Sequence, residues 1–266
     1  MTAWTDNLRM TPWDTETTGV DVENDLIVQA SLAWIDPSKG RAGLSRKSWI
    51  LDHGVDIPEG AAAVHGITRE RCAAEGVDPA EALDVLAGNL ADSAGLGWPL
   101  VGMKVQFDFT MLDRGCRRLG APTLSDRLDG AIAPVIDVMV LDKYLDPFRP
   151  GKRTLTALCA RYSVSIEDAH DATGDALAAG RVAWRMAQLA QRPADWLMKV
   201  FGFKPDVARR FAELGGLSLT ELHELQVTAN ADQTRSHRAY RARQGAPFDG
   251  REEWPLIPYT RSEALA

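Results

Sequence analysis

The chain has 266 residues, 45% of them hydrophobic and 25% charged, with a formal net charge of −7. This is the composition of a folded globular protein, long enough for one substantial domain plus an extension. No apolar run approaches the ~20 residues of a membrane span, and the acidic balance tells against a passive nucleic-acid coat, whose binding rests on a basic surface. The polar N-terminus lacks an apolar stretch behind basic residues, which predicts no signal peptide and a cytoplasmic protein. Cys72, Cys116 and Cys159 are far apart among apolar, helical neighbours. They read as buried free thiols rather than as a disulfide or a zinc site.

Arg9 to Glu16 reads as the first strand. In Leu26 to Ile35, the second, Leu26, Val28, Ala30, Leu32 and Trp34 alternate onto one face and Gln29 and Ser31 onto the other. Turn chemistry in Asp36-Pro37-Ser38-Lys39-Gly40 returns the chain through Ser45 to Leu51, so the two strands form an antiparallel hairpin. Leu83, Leu86 and Leu90 recur at helical spacing. A short strand at Leu100 to Gly102 precedes a helix beginning near Phe107, and Ile136 to Val140 is a short strand running into a helix. Two more helices span Thr154 to Tyr162 and Thr173 to Gln191. Strands first, then strands alternating with helices, predict a mixed α/β sheet flanked by helices. Beyond Arg192-Pro193 the pattern predicts short helices around Trp196 and Phe211. A capping box of Ser218 and Glu221 then opens a longer helix to about Gln244. Arg235, Arg238, Arg241 and Arg243 cluster there without an acid among them. They read either as a guide for a nucleic-acid backbone or as a solvated face.

The chemistry lies in four acids. Asp14 and Glu16 close the first strand, and alternation sends both to the same side a few ångströms apart, where their repulsion is tolerable with a cation between them. Asp108 shares a helical stripe with Leu112, Gly115 and Leu119, and Asp175 shares one with Ala179, Val182, Met186 and Leu189. Taken alone, either is more often a helix cap or an ion-pair partner. Four acids on inward-facing positions, with no lysine or arginine on those stripes, point instead to a shared divalent-cation site. Pro12 lacks the N–H a central strand needs and marks either a bulge or the start of pairing.

In their order along the chain, these segments resemble the DnaQ-like 3′→5′ exonucleases of the DEDDh type, over roughly residues 9 to 190. Trp13-Asp14-Thr15-Glu16-Thr17-Thr18-Gly19 is similar to the family's first motif. Ile57-Pro58 with Val64-His65-Gly66-Ile67-Thr68 is similar to a second segment, and Phe107-Asp108 to the core of the next. Ile136-Asp137, Leu155 to Tyr162 and His170-Asp171-Ala172-Thr173-Gly174-Asp175-Ala176 complete the series. The resemblance implies a ribonuclease H-like fold, with residues 1–191 as the exonuclease domain and 192–266 as a helical extension. It implies Asp14, Glu16, Asp108 and Asp175 as ligands of two divalent cations, Mg²⁺ or Mn²⁺, with His170 as general base. Thr17, Val64, His65 and Phe107 would border the terminal nucleotide. The partner it implies is DNA or RNA with a free 3′ end, in proofreading, repair or RNA processing, with a polymerase complex as a further candidate partner. Lys104 departs from the pattern, standing where the family has asparagine. The competing readings are a non-catalytic nucleic-acid- or polymerase-binding module on the same fold, and a small-molecule phosphodiesterase using the same metals.

Overall fold

The computed structural model describes residues 2–6, 8–165 and 172–260. One mixed sheet runs in the order β3-β2-β1-β4-β5, built from β1 (Thr11–Thr17), β2 (Ile27–Ile35), β3 (Leu44–Ile50), β4 (Leu100–Gly102) and β5 (Val135–Asp137). β1, β2 and β3 form an antiparallel meander, while β4 and β5 lie parallel to β1 and to each other. Parallel neighbours require crossovers. Three helices, α1 (Glu59–His65), α2 (Arg69–Glu75) and α3 (Pro79–Gly95), lead from β3 to β4, and α4 (Val105–Leu119) and α5 (Leu124–Arg127) from β4 to β5. After β5 come α6 (Val138–Leu145), α7 (Leu155–Tyr162) and α8 (Ala172–Ala190), then α9 (Ala194–Phe201), α10 (Pro205–Gly215) and α11 (Leu219–Arg243).

Both faces of the sheet are covered. On one, Trp13, Ala30 and Leu32 pack with Leu83, Leu86, Phe109 and Leu112 of α3 and α4. On the other, Val101 and Ile136 pack with Leu141, Leu158, Val182 and Met186, and the same core continues into Leu197, Phe211 and Leu222 of α9 to α11. Trp4 joins it, donating its indole N–H to the Leu214 carbonyl (2.7 Å). α11 then closes the far edge of the sheet. The buried Gln226 accepts the Asp137 N–H (2.7 Å) and donates to the Val135 carbonyl (2.9 Å), so a side-chain amide stands in for the strand that β5 lacks. The expected capping box at Ser218 and Glu221 is formed.

Gln29 and Ser31, on the opposite face of β2 as expected, are buried because α8 covers that face and hydrogen-bonds both. Other sequence expectations are corrected. The stripe through Asp108 ends before Leu119, which is exposed. Pro12 marks no bulge: it pairs with Val101 in the parallel ladder, and the irregularity falls between Glu16 and Thr17. Helices α1, α2 and α5 are too short to show a periodicity. All three cysteines are free and buried. Among the described residues no helix is long and apolar enough to cross a membrane.

Candidate active site

Alternation along β1 turns Trp13 and Thr15 toward α4 and turns Pro12, Asp14 and Glu16 toward α8. α8 lies unusually close to this strand because Gly180 faces Pro12. A Cβ there would sit 3.0 Å from Pro12 Cγ and 3.4 Å from Ile35 Cδ1. The small residues Ala172, Ala176, Ala179 and Ala183 line the buried side of the helix. Its first turn is fixed to β2, where the Ala172 N–H donates to Gln29 Oε1 (3.4 Å) and Thr173 Oγ1 donates to Ser31 Oγ (3.0 Å), whose own proton goes to Ser48 (2.7 Å). Close approach and fixed rotation together deliver Asp175 to the strand. Asp14, Glu16 and Asp175, each half-buried, offer carboxylate oxygens that all lie within 4.8 Å of one another. Three acids at that spacing repel unless a cation lies among them. An all-oxygen donor set of this kind fits Mg²⁺ or Mn²⁺.

Asp108 comes from the opposite side of β1 and lies outside that group of three. β4 pairs with β1 only at Thr11 and Pro12, so the Thr15 N–H, which points toward β4, has run past the end of its neighbour. Asp108 Oδ1 takes that N–H (3.2 Å) together with the Thr15 hydroxyl (2.7 Å). The carboxylate therefore sits on the open edge of β1, beside the residue that separates Asp14 from Glu16. Burial pushes its pKa up to about 7, against the opposing pull of the Thr15 hydrogen bonds.

Asp137 is a positioning residue whose only mark in the sequence was its place in the motif series. Fully buried at the end of β5, it caps α6 through the Met139 N–H (2.9 Å) and the Val140 N–H (3.3 Å), and its other oxygen takes the Val105 N–H (3.0 Å). One carboxylate thus holds the first turns of both α4 and α6, and with α4 the placement of Asp108. Burial raises its pKa and the backbone donors oppose that rise. The signal in the sequence was an acid directly after a β-branched apolar pair. Lys104, exposed and ahead of α4, adopts φ 62° and ψ 36°. That left-handed conformation suits asparagine better than lysine, which gives the asparagine seen in the resembled family a backbone reason.

The expected substrate-side residues fall around the end of β1. Thr17 donates its hydroxyl to the Gly19 carbonyl (2.6 Å). His65 is buried, with Nδ1 accepting the Ile67 N–H (3.1 Å) and Nε2 donating to the Thr17 carbonyl (3.2 Å), so it is neutral and ties α1 to β1; burial lowers its pKa. Val64 beside it is 60% exposed. Phe107, half-buried, packs at the margin of the core immediately before Asp108. His170 lies outside the described residues.

Comparison with known proteins agrees with this architecture. A family model for RNase T-type exonucleases matches residues 13–183. Among solved structures, the fold is shared with Exonuclease I of Methylocaldum szegediense (20% identity, TM-score 0.56, covering 73% of this chain and 43% of that one). It is shared equally with E. coli Exonuclease I in complex with a dT13 oligonucleotide (17%, TM-score 0.55, 73% and 43%). Cell-death related nuclease 4 (CRN-4) is matched over most of both chains (13%, TM-score 0.52, 81% and 84%). The chain spans less than half the length of the Exonuclease I chains. No curated protein matches it in sequence. With a family match that runs from the first strand through α4 into α8, the chain belongs to the RNase T exonuclease family, the DnaQ-like group that its motifs resemble.

Proposed function

We propose that the protein is a DEDDh-type 3′→5′ exonuclease that removes nucleoside 5′-monophosphates stepwise from the 3′ end of DNA or RNA. One observation carries the reading: Asp14 and Glu16 from a strand and Asp175 from a helix about 160 residues away, converging with oxygens within 4.8 Å. With Asp108 on the adjacent strand edge, they would hold two Mg²⁺ or Mn²⁺ ions, which supply an acidified water and stabilise the departing 3′ oxygen. His170 accepts the proton of the attacking water, a task suited to an imidazole with an unperturbed pKa near ~6.5. The exposed Val64 and the half-buried Phe107 border the last nucleotide, with Thr17 near its 3′ end. His65 has both ring nitrogens engaged and offers that nucleotide its ring rather than a hydrogen bond.

The test is cleavage of 5′-labelled DNA and RNA, single- and double-stranded, in Mg²⁺, Mn²⁺ or EDTA. A ladder that shortens from the 3′ end in either metal, and not in EDTA, is expected. Cleavage from the 5′ end, internal cuts, or full activity in EDTA would overturn the proposal.

A further inference from the structure

Helix α11 has two polar faces with different partners. Arg235 and Arg238 are both paired with Glu252, and Arg241 donates to the Pro247 carbonyl (3.1 and 3.2 Å). These contacts hold residues 247–252 back along the helix, with Glu252 set against Arg235 and Arg238 and only a neutral carbonyl against Arg241. Tyr240 and Arg243 lie on the neighbouring face, with His237 one turn before Tyr240. That face forms one wall of an open cleft of about 620 Å³, and Lys143, Phe148 and Arg153 form the other. A second cleft of about 340 Å³ shares Lys143 and His237 with the first and reaches Gln106, two residues before Asp108. The two clefts adjoin along Lys143, Gln233 and His237, between the first turn of α4 and the end of α11.

The lining has a distinct chemistry. Phe148 is 88% exposed, and Tyr240, whose ring lies 6.4 Å from that of His237, is 53% exposed, an unfavourable placement for large aromatic rings. Arg153 is held by Asp142 (2.8 Å), the acid lining the first cleft, Asp232, is held by Arg235, and the second cleft carries Asp249 beside Arg241 and Arg251. Lys143 and Arg243 form no ion pair among the described residues, so the unneutralised charge of the cleft is positive on a protein of net charge −7. Exposed rings beside unpaired cations are the recognition elements of single strands: the rings stack on bases and the cations follow the phosphates. A duplex hides its base faces and cannot use the rings.

We propose that these clefts form a binding track for single-stranded nucleic acid leading to the carboxylate site, with Phe148 and Tyr240 stacking on bases and Lys143 and Arg243 holding phosphates. The direction of the track rests on the exonuclease reading above; the binding does not. The test measures anisotropy of 5′-fluorescein dT16 and rU16 in EDTA over a salt series, using the full chain. Phe148→Ala/Tyr240→Ala is expected to weaken binding by about tenfold or more with little change in salt slope. Lys143→Gln/Arg243→Gln is expected to lower that slope by about 1.4, at ~0.7 per phosphate contact on a single strand. Equal losses on both probes would show that the track reads what DNA and RNA share, and a loss on one alone would name the strand it takes. Failure of the wild type to bind, or variants that bind as it does, overturns the track. Wild-type hydrolysis of thymidine 5′-monophosphate p-nitrophenyl ester in Mn²⁺ is measured separately. Hydrolysis with unchanged variant binding removes the track and leaves the nuclease. Binding that is lost in the variants, without any wild-type hydrolysis, removes the nuclease and leaves the track.

Discussion

The placement of Asp175 depends on a contact that has no chemistry of its own. Gly180 is five residues further along α8, about 7.5 Å up the helix axis, and it sets how closely that helix lies on β1. A methyl group at this position would meet Pro12 Cγ at 3.0 Å and Pro12 Cβ at 3.1 Å, against an ordinary carbon contact of about 3.5–4.0 Å. Alanine therefore requires a retreat of roughly 0.5 Å, and the two γ carbons of valine on the order of 1 Å. Overpacking of this kind costs about 1–3 kcal/mol, and the helix gains back up to ~1 kcal/mol on losing its glycine. Gly180→Ala is thus expected to be close to neutral in stability, and Gly180→Val to be moderately destabilised. Activity should fall far more steeply than stability, since a misplacement of ~1 Å among groups that share a cation costs about a hundredfold in rate. The assay is Mg²⁺-dependent release of mononucleotide from a 3′-labelled oligonucleotide, run over a Mg²⁺ titration beside a thermal melt. Gly180→Val should show a kcat about a hundredfold lower and a weaker Mg²⁺ response while still folded at the assay temperature. A variant that folds and keeps kcat and Mg²⁺ dependence within twofold of the wild type would refute the idea that this contact positions the site.

Asp14→Ala and Asp175→Ala are each expected to abolish cleavage with the fold intact, read by activity and circular dichroism; near wild-type activity in either would remove that residue as a metal ligand. His170→Ala should cut turnover steeply while Mn²⁺ binding persists, and an unchanged pH–rate profile would exclude it as the base. Lys104→Asn relieves a left-handed residue and should stabilise the protein by up to about 1 kcal/mol in urea denaturation; a loss of stability would mean that the lysine has a compensating contact. His223 accepts the Val135 N–H at Nδ1 (3.3 Å), and burial lowers its pKa, so the unfolded chain protonates first as pH falls. Its contribution is complete above ~6.5 and is lost progressively below that value, as the unfolded chain takes up a proton that the folded state still resists. His223→Asn, which keeps an acceptor and does not titrate, should flatten the fall in urea midpoint between pH 7 and pH 5. Part of the slope will remain, because His53 and His65 are shifted in the same direction.

The sequence revealed elements wherever a long periodicity or a strong boundary marked them. β2, α8 and the capped start of α11 stand within a residue or two of expectation, and α3 carries the leucines that recur at helical spacing. What it concealed was set by distant neighbours. Alternation set Gln29 and Ser31 on the face opposite Leu32, but nothing local to them says that a helix from residue 172 onward will cover them. The short helices α1 and α2 occupy about two turns each, too few to display a stripe, although His65 lies on one of them. The arginines of α11 looked like a single basic cluster because a linear reading cannot foresee that Glu252 folds back onto two of them. The convergence of Asp14, Glu16 and Asp175 was legible as a set of inward-facing acids. The role of Asp137 was not, because capping two helices at once is a property of where β5 ends beside β4.

The termination of β4 ties these observations together. At three residues it is too short to accompany β1, and the N–H groups of β1 beyond Trp13 are left without a strand on that side. A backbone donor in a dry interior needs a partner. Asp108 supplies one at Thr15, and in doing so brings a buried carboxyl to the strand that already carries Asp14 and Glu16. Had β4 run two residues further, Thr15 would have been satisfied by a carbonyl and Asp108 would have had no reason to approach. α4 can present Asp108 there because Asp137, at the equally early end of β5, holds its first turn. Early termination of two adjacent parallel strands therefore opens the edge of β1, and the acids that fill the opening are those whose charge a divalent cation would balance. The convergence of these acids thus follows from where the sheet stops, and the helices contribute by being held at that boundary.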